Sequence, residues 1–135
     1  MAHLFQPLLT AHTGPHQLLN RTRGFVLAAR VETAFDSRSR RRGLLGRQAL
    51  PADTLLAIAP SNAVHTFGMK FPIDVLFVAR DGRVVKRVSS MPARRIAAAL
   101  RAFAVLEFAA AHEGVARTMV GDIVALEEIP NDSSR

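Results

Sequence analysis

The sequence predicts an α+β chain that is mainly β: one small domain with an antiparallel sheet or barrel-like core and two or three short helices. Three observations carry that prediction. Apolar residues alternate with period two in several short runs, most clearly in IDVLFVAR and RVVKRVSS. An Asp81-Gly82 pair separates those two runs and has the composition of a tight hairpin turn. Helical signals are confined to brief stretches with caps close together.

At 135 residues, 49% hydrophobic and 21% charged, the chain has the size and composition of one globular domain. Residues 1–22, with Gly14-Pro15, read as an N-terminal arm, 23–129 as the domain and 130–135 as a frayed tail. The run GFVLAARVETAF alternates Phe25, Leu27, Ala29 and Val31 against Val26, Ala28, Arg30 and Glu32, as a first strand would. Asp36 or Ser37 can cap a helix extending to Arg47, with Gly46 ending it. TLLAIAP reads as a second strand closed by Pro60.

In the next stretch an extended chain would place Ala63, His65, Phe67, Met69 and Phe71 on one face, up to Pro72. A two-residue turn at Asp81-Gly82 would oppose Arg80 to Arg83, Phe77 to Lys86, Val75 to Val88 and Asp74 to Ser89, bringing Asp74 diagonally near Arg87. Ile73, Val75, Phe77, Ala79, Val84 and Val88 then make a core face. The Ala-rich segment from Pro92 to Met119 is open to helix or strand before residue 103. Ala104, Leu106 and Phe108 alternate with Val105 and Glu107 as a strand over 104–108, with helix after it. IVALEEI, entered by Gly121-Asp122, reads as the last strand.

Composition excludes several kinds of chemistry. There is no cysteine, hence no disulfide, thiolate metal site or thiol nucleophile. His12 and His16 have ligand spacing, but Gly14-Pro15 breaks the helix that would align them, and no metal or cofactor site is expected. Neither a phosphate-binding loop nor a dinucleotide fingerprint is present. The first twenty residues hold no Lys or Arg and no apolar run of signal-peptide length, so a cytoplasmic protein with no membrane insertion is expected. The formal charge is +7, and all but two of the 18 basic residues are arginine. Such a surface can attract anions. The absence of Tyr and Trp removes the best base-stacking platforms, which makes nucleic acid an unfavoured partner.

In combination, R42-G-L-L-G-R47, L50-P-A-D53, VHTFGMKFPIDVLFVARDGRVV, AVLEF and V120-G-D-I-V124 resemble the bacterial and archaeal family called domain of unknown function 192, over about residues 25–128. The resemblance implies a compact, largely β domain with short helices and no established reaction. Met69 and Asp74 match positions of the family motif, and Arg42, Gly43 and Arg47 match its short helix. The chain departs from the family in having Ala111 and Arg117 where glycines are common. Gly43-Leu44-Leu45-Gly46 has the form of a KH clamp, but its two leucines suit a core and not an exposed loop.

These readings converge on Arg42, Arg47, His65, Met69 and Asp74 as ligand-binding candidates, with no residue assigned a catalytic role. The favoured function is a non-enzymatic binding module. In it the RGLLGR helix and the HTFGMKFPID segment frame an Arg-rimmed cleft for an anionic small molecule or an acidic protein surface. An enzyme using His65 and Asp74, with Ser61 or Thr66 as nucleophile, is the alternative, although Thr66 would point away from His65. Nonspecific nucleic-acid binding through Arg38, Arg40, Arg41, Arg87, Arg94 and Arg95 is a third.

Overall fold

A computed structural model describes residues 3–6 and 16–129. Its ten strands are β1 (His16–Asn20), β2 (Phe25–Ala28), β3 (Arg30–Ala34), β4 (Thr54–Ile58), β5 (Ala63–His65), β6 (Ile73–Val78), β7 (Val84–Met91), β8 (Ile96–Ala98), β9 (Ala104–Ala109) and β10 (Val124–Glu128). Two short helices, α1 (Ser37–Arg42) and α2 (Glu113–Ala116), complete the described residues.

Five strands in the order β3-β4-β9-β6-β7 form the main sheet; β10-β1-β2 form a second and β5-β8 a two-stranded ribbon. Pairing is antiparallel except between β3 and β4, so the sheet is mixed. β9 lies at its centre and is buried along almost its whole length.

Alternation along the strands divides the apolar residues into two clusters, one on each face of the main sheet. Leu55, Ala57, Leu76, Val78, Leu106 and Phe108 pack with Leu18, Leu27, Val124 and Leu126 of the three-stranded sheet. Leu56, Ile58, Val75, Phe77 and Val105 pack on the other face with Leu44, Leu50, Val64 and Met91. Both faces of β6 are therefore core, where the hairpin pattern gives it only one.

The expected first strand is two strands in different sheets. At the junction the backbone N–H groups of Ala29 and Arg30 both donate to the Asp53 carbonyl, which turns the chain. Of the segment 1–22 expected as an arm, Leu4 and Phe5 are buried and β1 is the middle strand of its sheet. The expected tail and the residue pair His12 and Gly14 lie outside the described residues.

Helix α1 starts as expected, with the Asp36 side chain accepting from Ser39 N–H at 2.8 Å. It ends at Arg42 and not Arg47, because Gly43 turns with φ +49 and its N–H closes on the Ser39 carbonyl. Before β9, the Ala-rich segment is strand β8, since pairing with β5 outweighs helix propensity.

The hairpin keeps Phe77 opposite Lys86 and Val75 opposite Val88, with irregularities on both sides. Its loop is three residues, Arg80 to Gly82: Ala79 N–H bonds to the Arg83 carbonyl, and only Gly82 takes positive φ. A two-residue turn of the expected type needs positive φ at Asp81 as well. The Gly82 carbonyl accepts from Val124 N–H, which ties the loop to β10. A further clasp joins the β1–β2 turn to the approach to β10. There Asp122 accepts from Arg23 Nε at 2.6 Å, Asn20 Nδ2 at 3.0 Å and Met119 N–H at 3.0 Å, and the Arg23 bond holds its carboxyl at about 2.

Ala111, at a position where glycine is common in the resembled family, adopts φ +59. A side chain in that left-handed conformation carries a cost that glycine avoids. Ala111→Gly is expected to raise stability by about 0.5–1 kcal/mol in urea unfolding; an equal or lower stability would show that Ala111 is not strained.

Candidate functional site

A cleft of about 530 Å³ lies over the face of the main sheet that carries Val75 and Val105. Arg40, Arg41 and Arg42 of α1 form one side and Ser61, Ala63, Val64 and His65 the other, with Leu44, Ile58 and Met69 between them. Its floor includes the carboxyl of Glu107 on β9.

α1 presents its arginines because nothing on the helix is buried. Two are engaged with backbone: Arg40 Nη1 donates to the Phe35 carbonyl at 2.7 Å, and Arg41 Nε approaches the Ser37 carbonyl at 3.4 Å. The Arg42 guanidinium makes no hydrogen bond or ion pair with any described residue.

Opposite α1, Thr66 locks the ribbon. Its hydroxyl donates to the Pro92 carbonyl at 2.6 Å and accepts from Arg95 N–H at 3.0 Å, while its own N–H bonds to the Arg95 carbonyl. The chain then turns, with Gly68 at φ +81 and Met69 N–H on the Thr66 carbonyl. The extended face expected from Ala63 to Phe71 therefore stops at His65. Met69 returns to the cleft through the turn, while Phe67 stays outside, half exposed, with its ring 5.9 Å from that of His65. His65 is exposed, where the sequence pattern suggests a half-buried ring.

The structure thus brings together three of the five sequence candidates, Arg42, His65 and Met69. Arg47 does not line the cleft; its guanidinium holds Glu32 at 2.7 and 3.3 Å. Asp74 is on the other face of the sheet. It pairs with Phe108 on β9, one residue out of phase with Glu107, and its oxygens accept from the backbone N–H groups of Ser90 at 2.7 Å and His112 at 2.9 Å. The expected Asp74–Arg87 ion pair does not form, because the Arg87 guanidinium reaches the carbonyls of Ala116 at 3.0 Å and Thr118 at 2.8 Å at the end of α2.

Glu107 is the residue that the sequence candidates miss. It is 4% exposed, faces Leu56 and Val75 across the sheet, and its carboxyl accepts no hydrogen bond from any described residue. Burial pushes its carboxyl up to about 7, against the opposing pull of Arg47. The available signal was an acid in the middle of AVLEFA, on a strand with no polar face to put it on.

A second cleft of about 490 Å³ lies beside β2 and α2. His112 Nδ1 accepts from Val115 N–H at 3.1 Å, and the Arg117 guanidinium lies 4.3 Å over the Phe25 ring. Among the described residues no group of three or more His, Asp or Glu could hold a metal ion, and no helix is long and apolar enough to cross a membrane.

The fold defines a class: a small, mainly β single domain built on an open mixed sheet. Within that class the chain belongs to the family of domain of unknown function 192, described as "Uncharacterized ACR", which it matches over residues 18–125. Two solved structures share the fold. One, a protein of unknown function from Novosphingobium aromaticivorans, is 23% identical with a TM-score of 0.68, covering 82% of each chain. The other, a proposed transcription regulator from Sinorhizobium meliloti, is 21% identical with a TM-score of 0.70, covering 87% of this chain and 98% of that one. No curated protein matches.

Two outcomes are expected at these carboxylates. Asp74→Ala leaves the part-buried N–H groups of Ser90 and His112 without their side-chain partner and should cost about 2 kcal/mol in urea unfolding; a loss below about 0.5 kcal/mol would remove the bracing role assigned to Asp74. For Glu107, the folded protein keeps the proton up to about pH 7 while the unfolded chain releases it near 4.5. Between those values the folded state binds more protons, so this group lowers stability as pH rises. Glu107→Gln should therefore gain on the parent by about 3 kcal/mol between pH 4 and pH 8. Parallel stability curves for the two proteins would rule out the raised ionisation.

Proposed function

We propose that this protein is a non-enzymatic binding module that holds an anionic small molecule in the cleft between α1 and β5. One observation carries the reading: Arg42 at the rim and Glu107 on the floor both open to the same cleft, and neither has a partner among the described residues. A carboxyl on a cleft floor and a guanidinium on its rim, neither bonded to protein groups, are both open to a ligand that completes their bonding. The arginines favour an anion over a neutral ligand, because a guanidinium fork matches carboxylate and phosphate oxygens.

Other readings have less support. An enzyme built on His65 and Asp74 needs the two within proton-transfer reach, and they lie on different faces of the main sheet. For nucleic acid, whose relevance the name of the Sinorhizobium neighbour would suggest, the six arginines do not act together. Arg87 and Arg40 are engaged with backbone carbonyls, and Arg94 and Arg95 belong to the β7–β8 connection, a different element from α1. An acidic protein surface could meet the exposed arginines, but it would not reach Glu107.

A thermal-shift screen of the full chain against anionic metabolites tests the proposal. A ligand at about 100 times its dissociation constant adds roughly 2.7 kcal/mol of stability, and Arg42→Gln should abolish most of that shift. Absence of a shift for every anion, or hits indifferent to Arg42→Gln, would overturn it.

A further inference from the structure

The floor of the cleft differs from its rim in what it can accept. Glu107 sits on the central strand between Leu56 and Val75, and its side chain lines the cleft. The nearest cation that acts on it, Arg47, makes both of its hydrogen bonds to Glu32. An anion placed against this carboxyl would meet repulsion or compete for its proton, whereas a donor would relieve its missing hydrogen bond. The walls between floor and rim are Leu44, Ile58, Val64 and Met69, which suit an apolar spacer.

We infer that the ligand is bifunctional: its anionic end meets Arg42, and its other end carries an amine, amide or ring N–H that donates to Glu107. This rests on the binding-module reading and adds the second half of the ligand's chemistry. A rim that takes oxygens and a floor that takes N–H groups select against simple anions and against dicarboxylates. They favour amino acids with separated charges and related acids bearing a donor at the far end. The apolar walls exclude a strongly hydrated spacer.

The probes are ω-amino acids of increasing length, from glycine to 6-aminohexanoate, each matched with the unsubstituted carboxylate of the same length. Binding is followed by chemical-shift titration of the 15N-labelled full chain. At one chain length the amino acid should bind about tenfold more tightly than its plain counterpart, with shifts at the Val64 and Glu107 amides. Glu107→Gln should erase most of that preference while retaining carboxylate binding, and Arg42→Gln should weaken both series. Plain carboxylates that bind equally well, or a preference that survives Glu107→Gln, would overturn this inference and leave the anion-binding reading standing. If neither series binds the folded protein, both readings fall.

Discussion

The constraint on which the structure depends is that β9 lies at the centre of the main sheet and is covered on both faces. A strand in that position has no solvent side to receive a polar residue. Leu106 and Phe108 point into the layer shared with the three-stranded sheet, and Val105 points into the layer under α1. Glu107, next in phase with Val105, must then lie under α1 as well. The cleft is the space left open above that carboxyl, bounded by the short helix on one side and the two-stranded ribbon on the other.

Buried carboxylates occur on both faces of the sheet and behave in opposite ways. Asp74 is surrounded by donors, with two backbone N–H groups pointing at its oxygens, and it braces the β6–β7 pair to the turn before α2. Glu107 has the same burial and none of the bonds. A carboxylate satisfied by backbone is part of the scaffold, while one left unsatisfied at a cavity is a free valence of the fold. Charge type and depth alone would not have separated them.

Much of the architecture was legible in the sequence because it rests on local signals. Period-two alternation located β6, β7 and β9, apolar runs bounded by turn residues located β4 and β10, and Asp36 marked the start of α1. What was not legible depends on pairing between distant segments. Ala-rich residues 96–98 are strand because β5 lies beside them. The split of the first strand depends on one carbonyl, that of Asp53, and β1 owes its place to β10 at the other end of the chain. Of the site, Arg42, His65 and Met69 could be found because their segments flank the cleft. Arg47 and Asp74 look equivalent to them in sequence, but their partners are backbone groups or acids that no local pattern displays. Glu107 was hidden for a related reason: its significance is the absence of a partner, which only the packed sheet reveals.

The two sides of the cleft differ in how firmly they are held. Glu107 belongs to the central strand, paired along both edges, whose opening requires breaking the main sheet. The facing α1 is a six-residue helix with no buried side chain, fixed at its start by one Asp36 bond and released at its end by Gly43. Local opening free energies follow such differences, so the floor keeps its position through any event that loosens the rim. A ligand that bridges the two would therefore stiffen the helix against an immovable reference. The surface that would change on occupancy is the outer side of α1, bearing Arg38, and not the sheet beneath it.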